Sequence, residues 1–266
     1  MNESPALLSI LTTLSLASFL TTSGLMVLGF RPAGGSRFWM RLSYLLFLCG
    51  TICLTLASLT QNSTGYLLAA AIAWLSIISW FIWNIELIGA FTSPVIAILL
   101  LVHIFFQRDP VARNLSLETV DLRLHIGSAL AGQALAVLAC GMSLLLLWLD
   151  RKLKARQLSD LPDSFPAMAT LARALHITLG VGFTFLTVSL LSGAVFVMNG
   201  NLNPEANIIG KTIWAIFVWI WYLSILVLRG ILGYRPQKVA RLSLLGFAIM
   251  TIGWIFVWYF APWGQR

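Results

Sequence analysis

The stretch LHIGSALAGQALAVLACGMSLLLLWL, residues 124–149, contains no Asp, Glu, Lys or Arg. As a helix it would rise ~39 Å at ~1.5 Å per residue, more than the ~30 Å thickness of a bilayer's hydrocarbon core. Backbone groups in lipid must be satisfied within their own segment, so this run reads as a membrane-crossing α-helix. Seven further stretches on either side share its character: about 5–30, 38–60, 65–83, 86–106, 167–198, 210–232 and 241–262. The expected fold class is therefore all-α, a polytopic integral membrane protein of about eight transmembrane helices forming a single integral-membrane domain over 1–266. Only Trp83-Asn84-Ile85 separates the third and fourth spans, which leaves a tight hairpin or a partly re-entrant segment as the two readings there.

Composition agrees with the spans. Of 266 residues, 59% are hydrophobic and 10% charged, with a mean hydropathy of +0.90. A soluble domain carries about 25% charged residues, so soluble-enzyme readings are excluded. The first span is expected to be retained and not cleaved as a signal peptide, because Met1-Asn2-Glu3-Ser4-Pro5 lacks a basic residue and the apolar run exceeds a signal core.

The formal net charge of +8 would suggest nucleic acid in a soluble protein. Placing each charge by the positive-inside rule changes that meaning. With both termini outside, Arg31, Arg37, Arg41, Arg151, Lys152, Lys154, Arg156, Arg173, Arg229, Arg235, Lys238 and Arg241 all face the cytoplasm. The remaining basic residues, Arg108, Arg113, Arg123, Lys211 and Arg266, are balanced by outer acids, so the whole excess lies on one face. No nucleic-acid partner is required. The expected surroundings are membrane lipid, in a bacterial inner membrane.

The connections add detail. Residues 107–123 alternate polar and apolar side chains and could form a short interfacial helix. Pro162 and Pro166 break the inner connection before the sixth span. Gly180, Gly182 and Gly193 punctuate that span, where close helix approach is their expected use. Cys49, Cys53 and Cys140 all sit in apolar runs without a CxxC, so neither a disulfide framework nor a zinc site is expected.

Only three residues can supply imidazole: His103, His125 and His176. His176 stands about ten residues into the sixth span, near mid-bilayer, where an ionisable group marks function unless a neighbouring helix satisfies a neutral ring. His125 opens the fifth span and His103 lies near the end of the fourth, so the two can share a depth on the outer side. A neutral imidazole suits iron, and haem iron takes axial side chains. For His103 and His125 the competing reading is a solvated polar anchor at the interface. Arg113 and Arg123 could meet haem propionates, against the simpler reading of a wetted loop beside Asp109 and Asp121. No Gly-x-Ser-x-Gly elbow, HExxH or glycine-rich phosphate loop occurs, so hydrolase readings have no support and an assembly factor is favoured over an enzyme.

A set of motifs in the second half carries a resemblance. His125-Ile126-Gly127-Ser128 opens a long helix that runs to Leu149-Asp150-Arg151-Lys152-Leu153-Lys154. Leu161-Pro162 precedes His176-Ile177-Thr178, and Phe185-Leu186-Thr187-Val188-Ser189-Leu190-Leu191-Ser192-Gly193 follows. Trp214 and Trp219-Ile220-Trp221-Tyr222 lead to Arg229-Gly230 and Gly233-Tyr234-Arg235. Over about residues 120–262 the chain resembles the cytochrome c assembly (CcsA-like) family, closest to its short YpjD-like subgroup; before residue 120 only hydropathy and Pro94 agree. The resemblance implies haem binding or transport at the outer face during cytochrome c maturation, with His125 at the family's external histidine position. It also implies other maturation components as partners. Two departures stand out: residues 199–207 lack the family's tryptophan-rich loop, and no second external histidine follows the last span. The platform that presents haem to an apocytochrome is therefore not expected here.

The resulting reading is a haem-binding or haem-transporting protein of cytochrome c-type biogenesis, with His125 and His176 as favoured iron ligands and His103 as a further candidate. Two alternatives stay open: a membrane scaffold without cofactor, and a b-type membrane cytochrome.

Overall fold

A computed structural model describes residues 5–29, 37–61, 64–85, 87–106, 120–156, 166–198 and 208–260. They form the helices α1 (Pro5–Gly29), α2 (Arg37–Gln61), α3 (Thr64–Trp83), α4 (Ile88–Phe106), α5 (Val120–Lys154), α6 (Met168–Met198), α7 (Ile208–Gly230) and α8 (Pro236–Phe260). Among the described residues there is no strand. Seven of these helices, α1 to α7, are long and apolar enough to cross a membrane. The protein is a polytopic membrane protein.

The helix ends differ from the expected spans where local chemistry decides. Helix α5 begins at Val120 and ends at Lys154, so it overruns its apolar stretch at both ends; at the second end Lys154 Nζ meets Asp150 Oδ2 one turn back at 2.6 Å. Helix α7 stops at Gly230 because Gly233, at φ 63°, turns the chain. Helix α8 starts at Pro236, ahead of the expected 241, since proline's fixed φ suits a first helical position. The segment 107–119, proposed as an interfacial helix, and 157–165 lie outside the described residues; Val120–Arg123 form the first turn of α5.

The chain divides into two compact units, Met1–Leu115 with Leu149–Leu171, and Ser116–Trp148 with Ala172–Arg266. In the first unit, α3 and α4 form the tight hairpin, each long enough to span by itself. Asn84 takes φ 50°, a left-handed turn that asparagine tolerates, and its N–H bonds the Trp80 carbonyl at 2.8 Å. Ile85 and Ile88 then bury completely and pin the corner. Lipid is as apolar as leucine, so helices associate through close packing and polar contacts and not through water exclusion. Helices α1 and α2 accordingly meet through small groups: Gly50 sits on the Ser18 Cβ, with Phe19 and Phe47 edge to face at 5.3 Å beside it. Hydroxyls in these helices return to backbone carbonyls of the preceding turn, as Thr12 does to Leu8 and Thr51 to Phe47. Tyr44 stacks on Trp80 at 4.6 Å, and the Trp74 indole N–H bonds Thr55 Oγ1 at 3.0 Å, joining α2 to α3.

The second unit is organised by an antiparallel seam between α5 and α6. The seam follows an α5 stripe through His125, Ser128, Gly132, Leu135, Ala139 and Met142 and an α6 stripe through Leu179, Gly182, Leu186, Ser189 and Gly193, with contacts across it at His125, Gly132, Leu135 and Met142. Both series alternate steps of three and four, the spacing that keeps one stripe facing a partner helix. Glycine on one helix opposes leucine on the other: Leu186 fills the space above Gly132, and Leu135 lies against Gly182. Of the three glycines in the sixth span, Gly182 and Gly193 serve close approach as expected, whereas Gly180 faces open space. Helices α7 and α8 pair by a related device, with Trp221 seated on Gly246 and Trp214 on Gly253, both pairs seven residues apart. The Trp221 indole N–H also bonds the Leu242 carbonyl at 3.2 Å.

Candidate functional site

The seam places His125 against the far half of α6. Its Nδ1 lies 2.7 Å from the Ser189 carbonyl oxygen. A carbonyl only accepts, so Nδ1 carries the proton, and in the tautomer this selects the lone pair is on Nε2. The Ser189 hydroxyl returns the contact by donating to the His125 carbonyl at 3.3 Å. The Ser192 hydroxyl donates to the Val188 carbonyl at 2.7 Å, with the Ser189 carbonyl 3.2 Å away. Gly193 completes the seat, because a Cβ there would stand 2.8 Å from both Cε1 and Nδ1 of His125. The two motifs His125–Ser128 and Ser189–Gly193, sixty-four residues apart at their centre, thus form one arrangement. It fixes ring, tautomer and orientation, which is what a backbone carbonyl does for a metal-bound histidine.

His176 occupies a different place. It shares a stripe with Gly180, Phe183 and Thr187, spaced by four, three and four residues, of which Phe183 and Thr187 meet α7. Phe183 packs beside Trp219 at 5.3 Å, and the Trp219 indole N–H bonds Thr187 Oγ1 at 2.9 Å. The His176 Nδ1 is buried and has no hydrogen-bond partner among the described residues. An unsatisfied buried group of this kind costs ~1–3 kcal/mol. The alternative of a ring bonded to a neighbouring helix is thus not realised at that atom. Ser189 lies thirteen residues beyond His176 on α6, roughly 20 Å along the axis at ~1.5 Å per residue. Imidazole–metal bonds are about 2 Å, so His125 and His176 do not converge on one ion.

His103 belongs to the first unit. Its ring fills the space above Gly65, where a Cβ would lie 2.7 Å from Nδ1, and stands edge-on to Tyr66 at 4.4 Å. Arg123 is exposed on α5 and, two residues before His125, projects about 200° round the helix from it, away from the seam. Arg113, Asp109 and the loop 199–207 lie outside the described residues. Among the described residues no group of three or more His, Cys, Asp or Glu side chains could hold a metal ion.

The seated histidine and the seam that seats it fall within the span matched by a protein-family model, "Cytochrome C assembly protein", over residues 39–261. The chain belongs to this cytochrome c assembly family. The match starts in α2 and ends just past α8, so it takes in both units. Among curated relatives, the inner membrane protein YpjD of Escherichia coli (strain K12) is 30% identical over 136 residues, 51% of this chain and 50% of that protein. The cytochrome c biogenesis protein CcsA of Heterosigma akashiwo is 35% identical over 75 residues, 28% of this chain and 23% of its own length. The CcsA of Rippkaea orientalis is 29% identical over 108 residues, 39% and 31% of the two chains. The chain thus spans about half the length of the YpjD relatives it matches, and less of the CcsA proteins. No solved structure matches.

The sequence reading had placed His125 at the membrane surface as a ligand or a wetted anchor, without its seat. Ser189 and Gly193 are the residues it missed in that role. The signal was present in the matched three-four spacing of α5 and α6, which sets Ser189 and Gly193 opposite His125 once Gly132 is paired with Leu186.

Proposed function

We propose that this protein binds or moves haem in cytochrome c-type biogenesis, in a bacterial inner membrane, with His125 as an iron ligand. The single observation that carries the reading is the bond from His125 Nδ1 to the Ser189 carbonyl at 2.7 Å, which presents Nε2 as a fixed lone pair. Haem would supply an iron centre with open axial positions. The residues do the rest: Ser189 holds the proton on Nδ1, Gly193 admits the ring, and the half-exposed Leu124 and Leu191 at this end of the seam offer apolar surface. Family membership supports the biogenesis role, and the relatives named YpjD and CcsA support the membrane and the pathway. The one-sided excess of Lys and Arg supports an outward position for both termini.

His176 is the second candidate. Its unsatisfied Nδ1 beside the open space at Gly180 suits a separate ligand position one-half bilayer away from His125. His103 ranks third, its ring being covered by Gly65 and Tyr66. Lipid and other maturation components are the expected partners.

The test is spectroscopic. The full-length chain, purified from haem-replete cells, is expected to show a Soret band that His125→Ala abolishes or shifts, with added imidazole restoring it. A wild-type preparation that lacks the band and cannot take up added haem would overturn the haem reading. An unchanged band in His125→Ala would overturn the ligand assignment alone.

A further inference from the structure

The turn between α7 and α8 combines features that no step above uses. Ile231 and Leu232, at its tip, are 79% and 59% exposed. Near them in the chain stand Arg229 at the end of α7, Arg235 just before α8, and Lys238 and Arg241 on the first turns of α8, the last three spaced by three residues. Tyr234 orders this cluster from the centre. Arg229 Nη1 donates to the Tyr234 carbonyl at 2.7 Å, and the Lys238 ammonium lies 5.0 Å from the centre of the Tyr234 ring. The Tyr234 N–H in turn bonds the Leu228 carbonyl at 3.0 Å, and Gly233 supplies the left-handed residue. The turn is therefore a built structure and not a loose connection.

Among this unit's described residues no acid stands beside the turn. The sole acid among this unit's described residues, Asp121, stands in the first turn of α5, at the other ends of the helices. Helix α8 also begins here, so its positive dipole end adds to the same field. Because α7 is long and apolar enough to cross a membrane and carries no charge from Thr212 to Leu228, the turn lies at headgroup depth by length alone.

We infer that the α7–α8 turn is a docking surface for anionic phospholipid, with Ile231 and Leu232 entering the acyl boundary and Arg235, Lys238 and Arg241 meeting headgroup phosphates. Charge complementarity selects the headgroup: a zwitterionic lipid offers the same phosphate but carries a cation that four adjacent basic side chains repel. The exposed apolar pair separates a lipid from a free phosphate, which has nothing to place against it. Each cation near an anionic surface contributes roughly a fivefold preference.

The experiment places the full-length protein in nanodiscs of phosphatidylcholine and phosphatidylglycerol, 3:1, and counts the lipids retained on gentle release by native mass spectrometry. Wild type is expected to retain phosphatidylglycerol well above its bulk share. Arg235→Gln/Lys238→Gln/Arg241→Gln is expected to lose that enrichment, and Ile231→Ser/Leu232→Ser to weaken it, while tryptophan fluorescence reports an intact fold in each. Arg151→Gln/Lys152→Gln/Lys154→Gln, the same charge change at the end of α5, is expected to retain it. Equal retention of both lipids by wild type, or an equal loss in the α5 variant, would overturn the proposal. Stabilisation of detergent-solubilised protein by inorganic phosphate as strongly as by phosphatidylglycerol would overturn it in favour of a free-anion site.

Discussion

His125 Nδ1 lies 2.7 Å from the Ser189 carbonyl oxygen, across the seam between α5 and α6. The contact is made to backbone, so it survives changes at the Ser189 side chain and is controlled by how closely α6 approaches. Gly193 sets that approach. A methyl group there would stand 2.8 Å from two ring atoms, one of them the Nδ1 that bonds the Ser189 carbonyl, so the imidazole has to swing away from that bond.

Gly193→Ala should therefore disturb His125 more than the fold. We expect a stability loss of roughly 1–3 kcal/mol, together with loss or displacement of the Soret band. Far-ultraviolet circular dichroism should still report full helicity. Wild-type haem uptake by Gly193→Ala would break the proposed link between the seat and the ligand.

Gly180 and Gly182 are two residues apart and should respond oppositely to alanine. At Gly182 the new Cβ meets Leu135 Cβ at 3.3 Å, an atom next to the backbone that cannot swing aside, so the seam must widen. At Gly180 it meets nothing within 4 Å, and alanine is favoured over glycine in a helix by about 1 kcal/mol. Detergent-induced unfolding followed by tryptophan fluorescence should place Gly182→Ala below wild type and Gly180→Ala at or above it.

Gly253→Ala should be the most damaging of the glycine changes. Its Cβ would run into the Trp214 ring, and an indole has no flexible end to yield. A loss near the upper end of the ~1–3 kcal/mol range for overpacking is expected. Trp214→Leu in the same chain should restore part of it, and a double-mutant cycle by the same unfolding assay measures the coupling.

At the α3–α4 corner the backbone is decisive. Asn84 holds φ 50°, which glycine accepts and a β-branched residue resists by roughly 1–2 kcal/mol. Asn84→Gly should unfold like wild type and Asn84→Val earlier. Equal midpoints for the two would show that the corner is not confined to the left-handed conformation.

This chain has three histidines, His103, His125 and His176. That count makes their individual surroundings worth more than their number. His125 is seated, His176 has an unsatisfied nitrogen and His103 is covered, and each difference arises from what the neighbouring helix presents.

Residue pattern alone set the class of the molecule and, among the described residues, the helices and their ends to within a few residues. Those follow from free energies that act locally along the chain: an unpaired backbone group in lipid, a charge in hydrocarbon, a proline or glycine at a helix end. Where the residues were ambiguous, as at Trp83-Asn84-Ile85, local preference did not choose between a hairpin and a re-entrant segment, and the burial of Ile85 and Ile88 against other helices did. The role of each polar residue was likewise beyond local reading. Gly180 and Gly182 are the same residue in the same helix, and only the position of Leu135 separates open space from close contact. His125 and Ser189 gave no sign in isolation of belonging together. Their partnership is a property of the register between α5 and α6, fixed jointly by Gly132, Leu135, Gly182 and Leu186, because helices in lipid find their register through the fit of side chains and not through the burial of apolar surface.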